Sequence, residues 1–213
     1  MRNGKKNGQL FKRLLKTGYS KFMNQQAITI VSGLPRSGTS LMMKMLDAGG
    51  LPLLTDHIRE PNSDNPRGYY EFERVRKLDK GDHEWLKEAH GKAVKIISEL
   101  LKYLPPGYTY KIIFMHRKLE EILASHQIML NNRGMPDDGI SEEEMKRLFI
   151  IHLNKIKAWL GTQPNISVID VDYNQLLIDP QPYTQEINRF LDNRLSVENM
   201  SNVIDHNLYR NRR

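Results

Sequence analysis

Gly33 and Gly38 stand five positions apart in Ser32-Gly33-Leu34-Pro35-Arg36-Ser37-Gly38-Thr39-Ser40. Glycines at that spacing let a turn gather several backbone N–H groups around one anion. The frame Gly-x-x-x-x-Gly followed by Thr39-Ser40 is a phosphate-loop pattern, with Thr39 at the position where a nucleotidase carries lysine. The missing lysine argues against a γ-phosphate and against kinase or NTPase chemistry, and Lys44 lies too far along to replace it. A second pair with chemical potential is Arg117 and, eight residues on, Ser125. A guanidinium fork and a hydroxyl donor can grip one phosphate together.

Both features need a scaffold to bring them to one place. Ile28, Thr29, Ile30 and Val31 form a β-branched apolar run that enters the glycine turn, which opens onto an apolar-periodic helix carrying Leu41, Met42, Met45 and Leu46. Strand, glycine turn and helix aim the positive end of a helix dipole at the anion. Lys92–Ile97 is a short strand candidate, and Tyr108–Met115 (YTYKIIFM) reads as a buried strand. It leads through His116-Arg117 into a helix with Leu119, Ile122, Leu123, Ile128 and Met129 on its apolar side. Ser141 ahead of Glu142, Glu143 and Glu144 is a helix start with a hydroxyl cap. Asn165–Val171 reads as another buried strand, Glu71 to about His90 as helical, and Tyr183–Asp192 as a final helix. Strands alternating with helices predict an α/β fold of three αβα layers around a central parallel sheet, P-loop NTPase-like. In such sheets ligands bind at the C-terminal strand ends, where Pro35–Ser40, His116-Arg117 and Asp170–Tyr173 fall.

With order and spacing in view, the chain resembles the sulfotransferases that use 3′-phosphoadenosine-5′-phosphosulfate (PAPS). Pro35, Arg36, Ser37, Gly38, Thr39 and Ser40 match that family's 5′-phosphosulfate loop. Arg117 and Ser125 match its 3′-phosphate site, and Tyr173 matches the tyrosine near the adenine. The similarity spans roughly residues 27–192 in the family's order. It implies in-line sulfuryl transfer from PAPS to a hydroxyl acceptor, leaving 3′,5′-bisphosphoadenosine (PAP), without a metal. Charge stabilisation should carry the catalysis, as in phosphoryl transfer, with Arg36 as a catalytic cation. Lys95 fits the family's lysine after the preceding strand, but Ile97 replaces the histidine that often serves as base. The stretch SGTSLMMKMLDA is also similar to the tyrosylprotein branch, whose catalytic acid falls at Asp56-His57 here. His57 or Asp56 is therefore the expected base, with Glu71 and Glu73 in reserve.

Composition removes several alternatives. The 213 residues suit one domain, 27–213, behind a basic segment, 1–26. Seven of the 32 basic residues and none of the 25 acids lie in 1–26, so the remainder is formally neutral and offers no nucleic-acid footprint. Gln9–Leu15 can form a basic amphipathic helix for weak contact with an anionic membrane surface, or be a solvated tail. The absence of cysteine rules out disulfides and thiolate chemistry. With no export signal the expected location is cytoplasmic, and the expected partner a small-molecule or saccharide acceptor. Two rival readings stand beside the sulfotransferase: a kinase using Asp170 or Asp172 for magnesium, and a degenerate loop that binds nucleotide without turnover.

Overall fold

The computed structural model describes residues 27–56, 58, 68–132, 134 and 139–204. The basic segment 1–26 and His57 lie outside the described residues. Strands β1 (Ile28–Gly33), β2 (Ala93–Lys95), β3 (Tyr110–His116) and β4 (Ile166–Asp172) form one parallel sheet in the order β2-β1-β3-β4. The predicted αβα layering is what forms, because β1 is buried along its whole length and needs cover on both faces. On one face Ile30, Ile112 and Phe114 pack with Trp85, Leu101, Ile156 and Leu160. On the other, Val31, Ile113 and Met115 pack with Met42, Leu46, Leu176 and Ile187.

Among the described residues the layers are completed by α1 (Thr39–Ala48), α2 (Leu119–Asn132), α3 (Glu142–Leu160), α4 (Tyr173–Ile178), α5 (Pro180–Phe190) and α6 (Val197–Asn202). Ser141 caps α3 as expected, its hydroxyl accepting from the Glu144 N–H at 3.1 Å. Among the described residues no helix is long and apolar enough to cross a membrane.

The structure departs from the sequence reading in three places. The helix expected over Glu71–His90 is two 3₁₀ helices, Glu73–Lys80 and Glu84–Ala89. Gly81, at φ 82°, breaks them, and Asp82 is held by both Nε (2.9 Å) and Nη2 (2.5 Å) of Arg74. The strand at Asn165–Val171 was expected to be buried, yet β4 is the sheet edge and only Val171 along it is buried. The helix at Tyr183 starts earlier, at Pro180, because Asp179 caps it, and α6 follows it.

A 3₁₀ turn, Ser98–Tyr103, follows β2 and is tied to α3 through His152. Ser98 Oγ lies 2.8 Å from His152 Nε2, and Glu99 Oε2 lies 3.1 Å from its Nδ1. The order imitates a hydrolytic triad, but Ser98 is 1% exposed and closed to any substrate. Burial pushes the His152 imidazole below its usual value; Lys102 and Lys155 add to that, while Glu99 opposes it. The folded value therefore lies below the unfolded one, so the unfolded chain takes up the proton first. That contribution to stability is whole above about pH 6.5 and is lost as pH falls from there through the folded value. Urea denaturation at pH 5 and pH 7.5 should show a loss of stability in acid that is smaller in H152Q; identical acid losses would contradict this.

Candidate functional site

The glycine turn is built by two glycines with different reasons to be glycine. At Gly33, φ 148°, a Cβ would lie 2.5 Å from Ser37 Oγ and 2.6 Å from the Met115 carbonyl oxygen of β3. At Gly38, φ 99°, a Cβ would lie 2.3 Å from the Tyr173 ring. Between them Arg36 takes a left-handed conformation, φ 71°, rarely adopted by a side-chain-bearing residue. The chain thus turns sharply from β1 into α1, as the residue pattern requires.

That turn leaves donors to spare. Ser141, Asp172, Asp179 and Ser196 cap α3, α4, α5 and α6 with their side chains. At α1 the cap is Gly38, with no side-chain hydrogen bond and no acid in the first turn. The first N–H groups of an uncapped helix, with its positive dipole end, suit an anion. Inside the loop the buried Ser37 hydroxyl has no hydrogen-bond partner among the described residues.

Arg117, at the end of β3, meets this loop directly. Its Nη1 donates to the Arg36 carbonyl at 3.1 Å, and its guanidinium lies 4.6 Å from the centre of the Tyr173 ring. Arg36 Nε donates to Ser125 Oγ at 2.8 Å. The loop, the Arg117/Ser125 pair and Tyr173 are therefore one cluster. Arg117 Nε also donates to Glu121 at 2.9 Å, and Asn174 Nδ2 donates to the other carboxylate oxygen at 2.8 Å. The Arg117 and Glu121 side chains are 8% and 0% exposed. The Arg36 and Arg117 side chains thus converge beside the uncapped start of α1, an arrangement that suits an anion.

Lys95 closes the other side of the loop. Its side chain is 9% exposed, and its Nζ reaches Ser40 Oγ (3.4 Å), the Tyr69 carbonyl oxygen and the Glu71 carboxylate (3.6 Å). Asp56 is placed otherwise: its two oxygens accept from the backbone N–H groups of Ile58 (3.1 Å) and Glu73 (2.5 Å). The structure brings Arg36, Ser37, Gly38, Thr39, Ser40, Arg117, Ser125, Tyr173 and Lys95 to the same strand ends, with Pro35 exposed beside them. Glu121 and Asn174 belong to the site but were missed in the sequence. The i, i+4 spacing of Arg117 and Glu121 was the available signal. Asp170 pairs with His116 at 2.6 Å, and Asp172 caps α4.

No protein-family model matches the chain, and no curated protein matches it in sequence. Among solved structures it is similar to the sulfotransferase STF1 from Mycobacterium tuberculosis H37Rv, at 15% identity and TM-score 0.53, over 91% of this chain and 76% of that one. It also matches a sugar kinase from Janibacter sp. HTCC2649 (14% identity, 78% of this chain, 95% of that one, TM-score 0.42). A further match is a retinol dehydratase in complex with androsterone and PAP (14% identity, 84% of this chain, 63% of that one, TM-score 0.43). These two superpose too loosely to bear on the argument. The likeness to the first is one of fold alone, a parallel α/β sheet covered by helices on both faces.

Proposed function

We propose that the protein transfers a sulfuryl group from PAPS to a hydroxyl acceptor, a small molecule or a saccharide. The observation that carries this reading is the bond from Arg117 to the Arg36 carbonyl. It joins the glycine loop to the Arg/Ser pair in one cluster. A doubly phosphorylated nucleotide needs two anion grips within its own length, and the loop and the pair would serve as those two.

The residues fit such a ligand. Arg36, Ser37, Gly38, Thr39 and Ser40, with the first amides of α1, would hold the 5′ side; Arg117 and Ser125 would hold the 3′-phosphate, and Tyr173 would lie by the adenine. Bound PAPS supplies an activated sulfuryl group with PAP as the leaving group. Arg36 and Lys95 provide fixed positive charge beside the loop, where charge grows on the leaving oxygen. They also replace the charge of the absent phosphate-loop lysine.

The test is thermal. PAP at about a hundred times its Kd, without magnesium, should stabilise the protein by roughly 2.7 kcal/mol. For a domain of this size that raises Tm by about 5–10 °C. ATP with magnesium should leave Tm unchanged. Stabilisation by magnesium–ATP and none by PAP would put a kinase in its place.

A further inference from the structure

Resting on the sulfotransferase reading, we propose that Glu71 is the base that takes the proton of the acceptor hydroxyl. Three observations place it. Glu71 Oε1 is 3.6 Å from Lys95 Nζ, and the same Nζ lies 3.4 Å from Ser40 Oγ in the glycine loop, so the carboxylate stands one lysine away from the anion site. Its side chain is 25% exposed, open enough to be met by a substrate. The backbone ahead of it is bent: Gly68 has φ 89° and Tyr70 φ 50°, and a bulky residue in that region is a strained exception.

The strain has a visible result. The turn sends the Tyr69 ring into the core, aims the Tyr69 carbonyl at Lys95 and Ser40, and delivers Glu71 beside them. Asp56, a neighbouring carboxylate, spends both oxygens on backbone N–H groups and serves to hold the start of the Glu73–Lys80 helix. Arg76 flanks the second oxygen of Glu71 at 3.4 Å from the solvent side.

In the proposed step the acceptor oxygen bonds to sulfur as the bond from sulfur to the 5′-phosphate oxygen breaks. The electron pair leaves on that phosphate oxygen, and the acceptor proton passes to Glu71.

The experiment compares wild type, E71Q and D56N in two assays. One is PAP binding by calorimetry. The other is release or transfer of label from radiolabelled PAPS at pH 8.5, to water, to glucose and to 4-nitrophenol, the last of which is ionised at that pH and needs no base. E71Q should bind PAP within about threefold of wild type and lose roughly a hundredfold or more in rate to water and to glucose, but little to ionised 4-nitrophenol. D56N should be less stable, with a loss of rate far smaller than that of E71Q. An E71Q rate to glucose within threefold of wild type, an equal loss with ionised 4-nitrophenol, or loss of PAP binding together with rate would overturn the assignment. So would a wild type that binds PAP but releases sulfate no faster than buffer. A wild type that does not bind PAP at all would instead remove the sulfotransferase reading.

Discussion

Replacing Arg117 with methionine is expected to destabilise the protein by about 3–5 kcal/mol, because it removes the guanidinium that donates to the buried carboxylate of Glu121 at 2.9 Å. Glu121 is fully buried, and the neutral Asn174 amide that donates to its other oxygen cannot replace the lost charge. The same change removes a charge-assisted grip on the nucleotide worth about 2–3 kcal/mol, or between about 30- and 150-fold in PAP affinity. A second variant separates the two effects. In R117M/E121L neither charge remains, and stability should return by about half, the remainder lost because buried Asn174 gives up its acceptor. PAP binding should not return. Urea denaturation reads the first effect and calorimetry the second. Near-normal PAP affinity in the double variant would show that Arg117 is a structural charge and that the anion sits elsewhere.

The sheet and the glycine loop were readable because local and global signals agree there. A β-branched run, two glycines and an apolar-periodic helix demand the same strand–turn–helix that the sheet then buries. The Arg117/Ser125 pair was readable only by its position after a strand, since an arginine and a serine eight apart carry no local signature. What spacing could not give was the direction of the side chains. Arg36 lies against Ser125, and Glu121 rather than solvent neutralises Arg117. The stretch from Glu71 to His90 misled because its apolar residues repeat at nearly helical intervals. Gly81 and the Arg74–Asp82 fork pinch it into two tighter turns. β4 misled for a related reason: Ile166, Val168 and Ile169 look like core, but a strand at the sheet edge has one neighbour and less cover. The acceptor-side base was hardest to read. Two acids of the same region, Asp56 and Glu71, differ only in what their oxygens touch.

Gly38→Ala should cost nearly as much as the loss of Arg117, and for a purely steric reason. The added Cβ would lie 2.3 Å from Cδ2 and 2.8 Å from Cε2 of Tyr173, and the residue must hold φ 99°. Strain of the backbone alone amounts to about 1–3 kcal/mol, and the ring has little freedom to retreat because Tyr173 is only 8% exposed. If the ring moves, Arg117 loses the aromatic face it lies over, and the loop amides turn away from their common point. PAP binding should fall below detection. Y173A alone should retain the loop, with weaker binding. The pair forms a cycle: if ring and Cβ collide, G38A/Y173A will be less destabilised than the sum of the single changes by at least about 1 kcal/mol, while PAP binding stays lost because the backbone strain persists. Strict additivity of the two changes in thermal denaturation would mean that the ring does not cover Gly38, and the tyrosine would then have no part in shaping the anion cradle.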